Sequence, residues 1–229
     1  MSQLLLDLTP EQVPSLDNFV AGVNEELVGR LRDLADPGNF DILYVWGPEG
    51  SGRSHLLRAA ADAAAANRPA HFVAGATADA DMNVPAGGLL VVDDVDRLGA
   101  DAQVALFRAY NAARLVGMAV LAAGPVPPLQ LALREDLRTR IGQSLIYEVK
   151  PLTDDEKSAA LARHALLRGM KVDDGLVNYL LRHGRRDLPS LMAVLEALDR
   201  ATLEQQRPAT LPLLKEVMQF QFEPDSQEE

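Results

Sequence analysis

Residues 47–55 read GPEGSGRSH, and the fold turns on what this stretch is. Gly47, Gly52 and Ser54 have the Gly-x-x-x-x-Gly-x-Ser spacing of a loop that wraps phosphates, with Arg53 where lysine is usual. The apolar run Ile42–Gly47 (ILYVWG) precedes it, and Arg53–Asn67 (RSHLLRAAADAAAAN) comes after it with a helical pattern. Strand, loop, helix is the context this chemistry needs. Glycines let backbone N–H groups turn inward around an anion, and the helix start adds its positive dipole end. Gly47, Pro48, Glu49, Gly50, Ser51, Gly52, Arg53, Ser54 and His55 are therefore candidate nucleotide-binding residues, with the Ser54 hydroxyl a candidate Mg²⁺ ligand. A glycine-rich turn that binds nothing is the plain alternative.

Working outward, short apolar runs alternate with helical patterns, which predicts a parallel sheet with crossover helices. The strand candidates are Ile42–Gly47, His71–Ala74, Leu89–Asp93, Met118–Ala123 and Leu145–Val149, all reading as strands buried on both faces. Helical patterns cover Arg53–Asn67, Asp101–Leu115 and Leu129–Ile141, and the alanines at 59–66 read as a close-packing helix face. After Lys150-Pro151 the texture becomes helical throughout. Thr153 and Glu156 form a capping box, Asp173 or Asp174 caps Leu176–His183, Pro189 opens 187–205, and Pro212 sits in the first turn of 211–220. The expected organisation is a short peptide (1–9), an α/β domain with a parallel five-stranded sheet (10–150), a small all-helical subdomain (151–222) and an acidic tail (223–229).

The chain has 229 residues, 48% of them hydrophobic, so it can build a sizeable core. Its 22 Lys and Arg stand against 33 Asp and Glu, a formal charge of −11. That balance speaks against binding the DNA backbone broadly, which needs a positive field, and no direct sequence-specific DNA binding is expected. With no cysteine and four scattered histidines, disulfides, thiolate ligands and His-built metal sites are not expected. The N-terminus lacks a basic segment and a long apolar one, and no run approaches the ~20 apolar residues a membrane span needs, so the cytoplasm is the expected location.

The second chemical element is GLLVVDDVDRL, residues 88–98. Asp93 ends a buried apolar run, on the next strand but one after the loop, where a carboxylate can hold Mg²⁺. Asp94 comes next, where a longer glutamate would ordinarily activate water. Solvated acids at a strand end are the alternative for both. Arg53 can pair with phosphate oxygens, even through two bonds, but its planar bulk suits the loop less well than an ammonium. Nucleotide binding is expected, and fast hydrolysis is not.

Together these residues resemble the AAA+ P-loop proteins, in particular the DnaA group and its Hda-type regulators. The resemblance runs from Gln3 to about Met218. SLDNFVAGVNEEL (15–27) looks like the segment that enters the nucleotide site from the N-terminal side, and GSGRSHLLRAA (50–60) is similar to Hda-type loops that also carry arginine. EDLRTRIGQSLIYEVKPLTDDEK (135–157) looks like the arginine-finger box leading into the lid, and RRDLPSLMAVLEALDRATL (185–203) like the lid helix of the second sensor. The resemblance thus implies an AAA+ α/β domain followed by a helical lid.

It also assigns parts. Arg140 would be the finger reaching a neighbour's nucleotide, a choice that charge alone leaves open among Arg134, Arg138 and Arg140. Arg186 would touch the nucleotide in cis, with Arg185 its rival. LAAGPVPP (121–128) has no polar side chain at the first-sensor position, around Ala123, Gly124 and Pro125. At the N-terminus, Gln3, Leu4, Leu6 and Leu8 resemble the peptide that docks on the DNA polymerase sliding clamp, although a first strand or a tail would read similarly. DnaA continues past its lid into a DNA-binding domain, whereas this sequence stops soon after Phe222, so a stand-alone initiator is not expected.

The leading expectation is a regulator of replication initiation. It would hold ADP or ATP with Mg²⁺, dock on the clamp, and present Arg140 to the ATP of the DnaA AAA+ domain, with self-association possible by analogy. The runner-up is a self-sufficient AAA+ ATPase such as a helicase loader or clamp-loader-like protein. A small-molecule kinase leaves Arg140 and the lid unexplained, and a scaffold that binds no nucleotide is the remaining alternative.

Overall fold

The computed structural model describes residues 14–185 and 187–222, with the backbone alone for 220–222. Gln3–Leu8, Arg186 and the acidic tail lie outside the described residues. The chain divides into two compact units, Met1–Lys150 and Pro151–Glu229.

The first unit is built on five parallel strands: β1 (Ile42–Trp46), β2 (Ala70–Ala74), β3 (Leu89–Asp93), β4 (Ala119–Gly124) and β5 (Leu145–Glu148). Their order is β2-β3-β4-β1-β5, so β4 is inserted between β1 and β3. The register pairs Trp46 with Gly124 and with Glu148, and Ala74 with Asp93. The strands therefore finish level, and the loops leaving their carboxyl ends line one edge, the usual ligand-binding edge of such sheets.

Helices α1 (Glu25–Asp33), α2 (Arg53–Ala65), α3 (Ala100–Val116) and α4 (Glu135–Ile141) cover the sheet. Alternation along each strand sorts the core into two layers. Leu43, Val45, Leu89, Val91 and Leu121 pack with α1 and α2, while Tyr44, Leu90, Val92, Val120 and Ala122 pack with α3 and α4. The alanine run does pack closely: Ala59, Ala60, Ala61 and Ala64 are buried.

Three features depart from the sequence expectation. Helix α1, which the sequence expectation does not include, is only nine residues long, with Leu27, Val28 and Leu31 forming a buried stripe between an acidic first turn and a basic last turn. The helix expected over 129–141 begins only at Glu135. Pro128–Gln130 make a 3₁₀ turn, and Leu131 and Leu133 are buried at a strand-like spacing of two. The strand β5, expected to be buried on both faces, is a sheet edge with Leu145 and Ile146 each 43% exposed.

The second unit holds α5 (Asp154–Leu167), α6 (Asp174–His183), α7 (Leu188–Gln205) and α8 (Leu211–Phe222) around Leu161, Leu176, Leu180, Leu191, Leu195, Leu213 and Leu214. The Thr153–Glu156 capping box is formed in both directions, at 2.8 and 3.2 Å. Asp173 caps α6 and Asp187 caps α7, through bonds of 2.8 and 2.9 Å from the Leu176 and Ser190 N–H groups. Among the described residues, no helix is long and apolar enough to cross a membrane.

Candidate functional site

The loop 47–52 joins the carboxyl end of β1 to the first turn of α2. Its path depends on Gly50 and Gly52, at φ 75° and 94°, a region that favours glycine. A Cβ at Gly52 would stand 2.7 Å from the Phe19 ring, and one at Gly47 would stand 2.7 Å from the Val149 carbonyl. The loop is thus clasped between the end of β5 and the segment entering from the N-terminal side.

That segment is anchored beside the loop. The His55 ring meets the Ser15 carbonyl at 3.0 Å and leans on Phe19, with ring centroids 5.7 Å apart. Asn24 is buried and binds the backbone of Lys150 twice, donating to its carbonyl at 2.9 Å and accepting from its N–H at 2.9 Å. Phe19 and Asn24 both lie in the stretch 15–27 that the sequence marks, yet neither stands out there as a site residue, because their partners are distant in sequence. Their signal was only an aromatic and an amide within a matching segment.

In the loop and the first residue of α2, two buried polar atoms have no partner: Ser51 Oγ and Arg53 Nη1. Buried polar groups are nearly always satisfied, so an orphaned donor pair in a glycine loop at a helix N-terminus suits an anion, phosphate above all. The side chain of Arg53 is 11% exposed, with Nη2 3.9 Å from Asp94 Oδ1. Asp94 itself adopts φ 48°, a left-handed conformation tolerated by Asp. Asp93 is buried at the end of β3, its Oδ1 accepting from the Asp94 N–H at 3.0 Å.

A Mg²⁺ ion was expected at Ser54, Asp93 and Asp94. Ser54 is exposed, but Asp94 faces the guanidinium and one Asp93 oxygen is engaged by backbone. The unpartnered atoms beside them include a guanidinium nitrogen, which cannot accept a cation. This donor set fits an anion next to Arg53 and does not fit a divalent cation. No three carboxylate or imidazole groups converge on a metal position among the described residues.

At the end of β4, Ala122, Ala123 and Gly124 are buried. A Cβ at Gly124 would run into the Tyr44 hydroxyl, which donates to the Val126 carbonyl at 2.7 Å. Burial pushes the Tyr44 phenol well above its ordinary value, with nearby Arg53 pulling the other way. The absence of a polar side chain here is therefore built in by packing.

The three arginines of the α4 region lie apart from the loop residues in their bonding. Arg134 is bound to Asp136 by two hydrogen bonds, at 2.8 and 3.2 Å, and its guanidinium holds the Asp136 carboxyl below the usual range. Arg138 is half-buried. Arg140 is exposed, with one bond of 3.2 Å to Gln143. It borders an open groove of about 750 Å³ shared with Phe107, Arg134, Asp136, Thr139 and Gln143. Arg185 lies in the second unit, 3.6 Å from Asp187.

Residues 154–218 match the family described as Hda, lid domain. Among solved structures, the fold is similar to domain III of the replication initiation protein DnaA from Thermotoga maritima. The TM-score is 0.74 at 16% identity, covering 93% of this chain and 99% of that one. It is similar to the Thermotoga maritima RuvB Holliday junction branch migration motor, with TM-score 0.70, 19% identity, and 90% and 72% covered. A replication initiator DnaA bound to AMPPCP and single-stranded DNA gives 0.67 at 16% identity, with 86% and 69% covered. The chain has the fold of these structures, a five-stranded α/β domain followed by a helical subdomain, and within that subdomain residues 154–218 match the Hda lid-domain family.

Proposed function

We propose that this DnaA-type AAA+ protein with an Hda-type lid is a regulator that switches off the replication initiator. In this reading it holds an adenine nucleotide in the loop 47–55, with Arg186 as a second contact from the lid. It docks on the DNA polymerase sliding clamp through Gln3, Leu4, Leu6 and Leu8. From there it presents Arg140 to ATP held by the DnaA AAA+ domain, in the cytoplasm, and self-association belongs to this reading by analogy alone.

The observation that carries this reading is the Arg140 side chain, exposed over an open groove while Arg134 is consumed by Asp136. A guanidinium so placed is available to charge that develops on a partner's phosphoryl group. The Hda match of the lid supports the choice of partner. The similar DnaA bound to AMPPCP supports an adenine nucleotide in the loop, as do the orphaned Ser51 and Arg53 atoms.

The test is hydrolysis of DnaA-bound ATP in the presence of clamp-loaded DNA. Arg140→Ala should reduce the stimulated rate by about 10²-fold or more, since an arginine finger is worth roughly 10³–10⁵. Gln3→Ala should weaken stimulation by weakening docking. Full stimulation by both variants would show the proposal to be wrong.

The second reading, a self-sufficient ATPase, draws on the likeness to the RuvB motor. Against it stand the Asp94 carboxylate turned to Arg53 and the packed first-sensor position. ATP turnover by the isolated chain decides between them, and fast turnover would favour the motor.

A further inference from the structure

Arg53 departs from the usual loop pattern, and its surroundings assign it a part that lysine could not fill in the same way. A guanidinium presents five donors in a rigid planar fork. Here one end of that fork, Nη2, is turned to Asp94, while the other, Nη1, is buried without an acceptor. The carboxylate it meets is held in place. Asp94 sits in a left-handed turn, and Gly75 packs so closely under its carbonyl that any Cβ there would overlap. Asp93, beside it, is buried and bound to the turn's backbone.

The unpartnered end of the fork is buried at the start of α2, in the same loop-to-helix segment that carries the unpartnered Ser51 hydroxyl. A phosphate oxygen accepting from Nη1 would create a chain of anion, cation, anion: Asp94, Arg53, phosphate. That is the charge arrangement a divalent ion produces when it lies between a carboxylate and a phosphate. A metal ion added at this point would face the Arg53 positive charge and compete with it for the Asp94 carboxylate.

We propose that Arg53 stands in for the divalent cation, its guanidinium bridging Asp94 and the terminal phosphate so that a nucleoside diphosphate binds without a metal requirement. This rests on the nucleotide-binding reading of the loop. It deepens that reading by making Arg53 the residue that sets metal dependence.

Calorimetric titration of the nucleotide-stripped full chain with ADP, in excess Mg²⁺ and separately in EDTA, tests the proposal. The wild-type dissociation constant should change by less than about threefold between the two buffers. Arg53→Lys, a compact charge without a fork, should become metal-dependent, binding ADP at least roughly tenfold more weakly in EDTA than in Mg²⁺. Wild-type binding that weakens about tenfold or more in EDTA would overturn the inference and leave the nucleotide site standing. Equal metal independence in wild type and Arg53→Lys would overturn the part given to Arg53. No ADP binding by wild type in either buffer would overturn the nucleotide reading, and this inference with it. The comparison of buffers with wild type alone is decisive even if the variant folds poorly.

Discussion

Replacing Arg68 with methionine should unfold the α/β unit more than any surface change would suggest. Arg68 lies just past α2, is only 4% exposed, and donates five hydrogen bonds to backbone carbonyls. They reach Gly87 at 2.7 Å, Leu34 at 3.0 Å, Asp36 at 2.9 Å, Asn39 at 2.7 Å and Gly88 at 2.9 Å. One side chain thus ties the turn after α1 to the turn before β3. The Asp36 and Gly88 carbonyls keep backbone donors when it is removed, from Asn39 and Ala119. Those of Leu34, Asn39 and Gly87 have no other donor among the described residues.

An orphaned buried carbonyl costs about 1–3 kcal/mol. Asn39 and Gly87 are half-buried and can regain water, which keeps the sum near the lower end. Methionine retains most of the aliphatic stem, so little packing is lost. The expected destabilisation is about 3–5 kcal/mol, in the range for breaking a buried charged network. With a urea slope of about 2 kcal/mol per molar, the midpoint should fall by about 1.5–2.5 M. The single tryptophan, Trp46 in β1, reports the unfolding of this unit specifically. Arg68→Lys should recover only part of the loss, because an ammonium at the Nη1 position can meet the Leu34, Asp36 and Asn39 carbonyls but leaves Gly87 and Gly88 to the missing Nε and Nη2. A methionine variant within about 1 kcal/mol of wild type would refute the reasoning, since the three carbonyls would then have been satisfied some other way.

The loop and the lid each yield a further expected outcome. Gly52→Ala should lose about 1–3 kcal/mol, because a left-handed backbone must carry a Cβ pressed on the Phe19 ring, and ADP binding measured by calorimetry should fall along with it. The lid should lose stability in acid through its capping box. Backbone and side-chain hydrogen bonds from Thr153 hold the Glu156 carboxyl below its usual value. A depressed folded pKa contributes stability that is present above the unfolded value and is lost as pH falls through the folded one. Thermal melts of the full chain from neutral pH to about pH 3 should therefore show an acid-dependent loss that is smaller in Thr153→Ala, and identical profiles would remove the capping box as its source.

Much of the fold is legible in the sequence because it rests on local signals. Apolar runs, glycines at 47, 50 and 52 and the Thr153–Glu156 pair each specify their element within a few residues, and the structure places strands and helices accordingly. The misreadings fall where local pattern underdetermines the outcome. Leu131 and Leu133 fit a helix or an extended segment until Pro127 and Pro128 set the backbone, and β5 looks like any buried strand until the sheet ends beside it.

The sequence by itself determined a parallel α/β domain, an all-helical segment after it, a loop with phosphate-loop spacing and an arginine in that loop, since spacing and residue type suffice for each. It could not determine what Arg53 touches. That depends on β4 entering between β1 and β3, on the strands finishing level, and on Asp94 being turned left-handed against Gly75. Nor could it separate Arg134 from Arg140, which differ only in whether a carboxylate lies within reach. Ion pairs, clasped loops and a buried arginine such as Arg68 join residues tens of positions apart, and only the packed chain brings those groups within hydrogen-bonding distance.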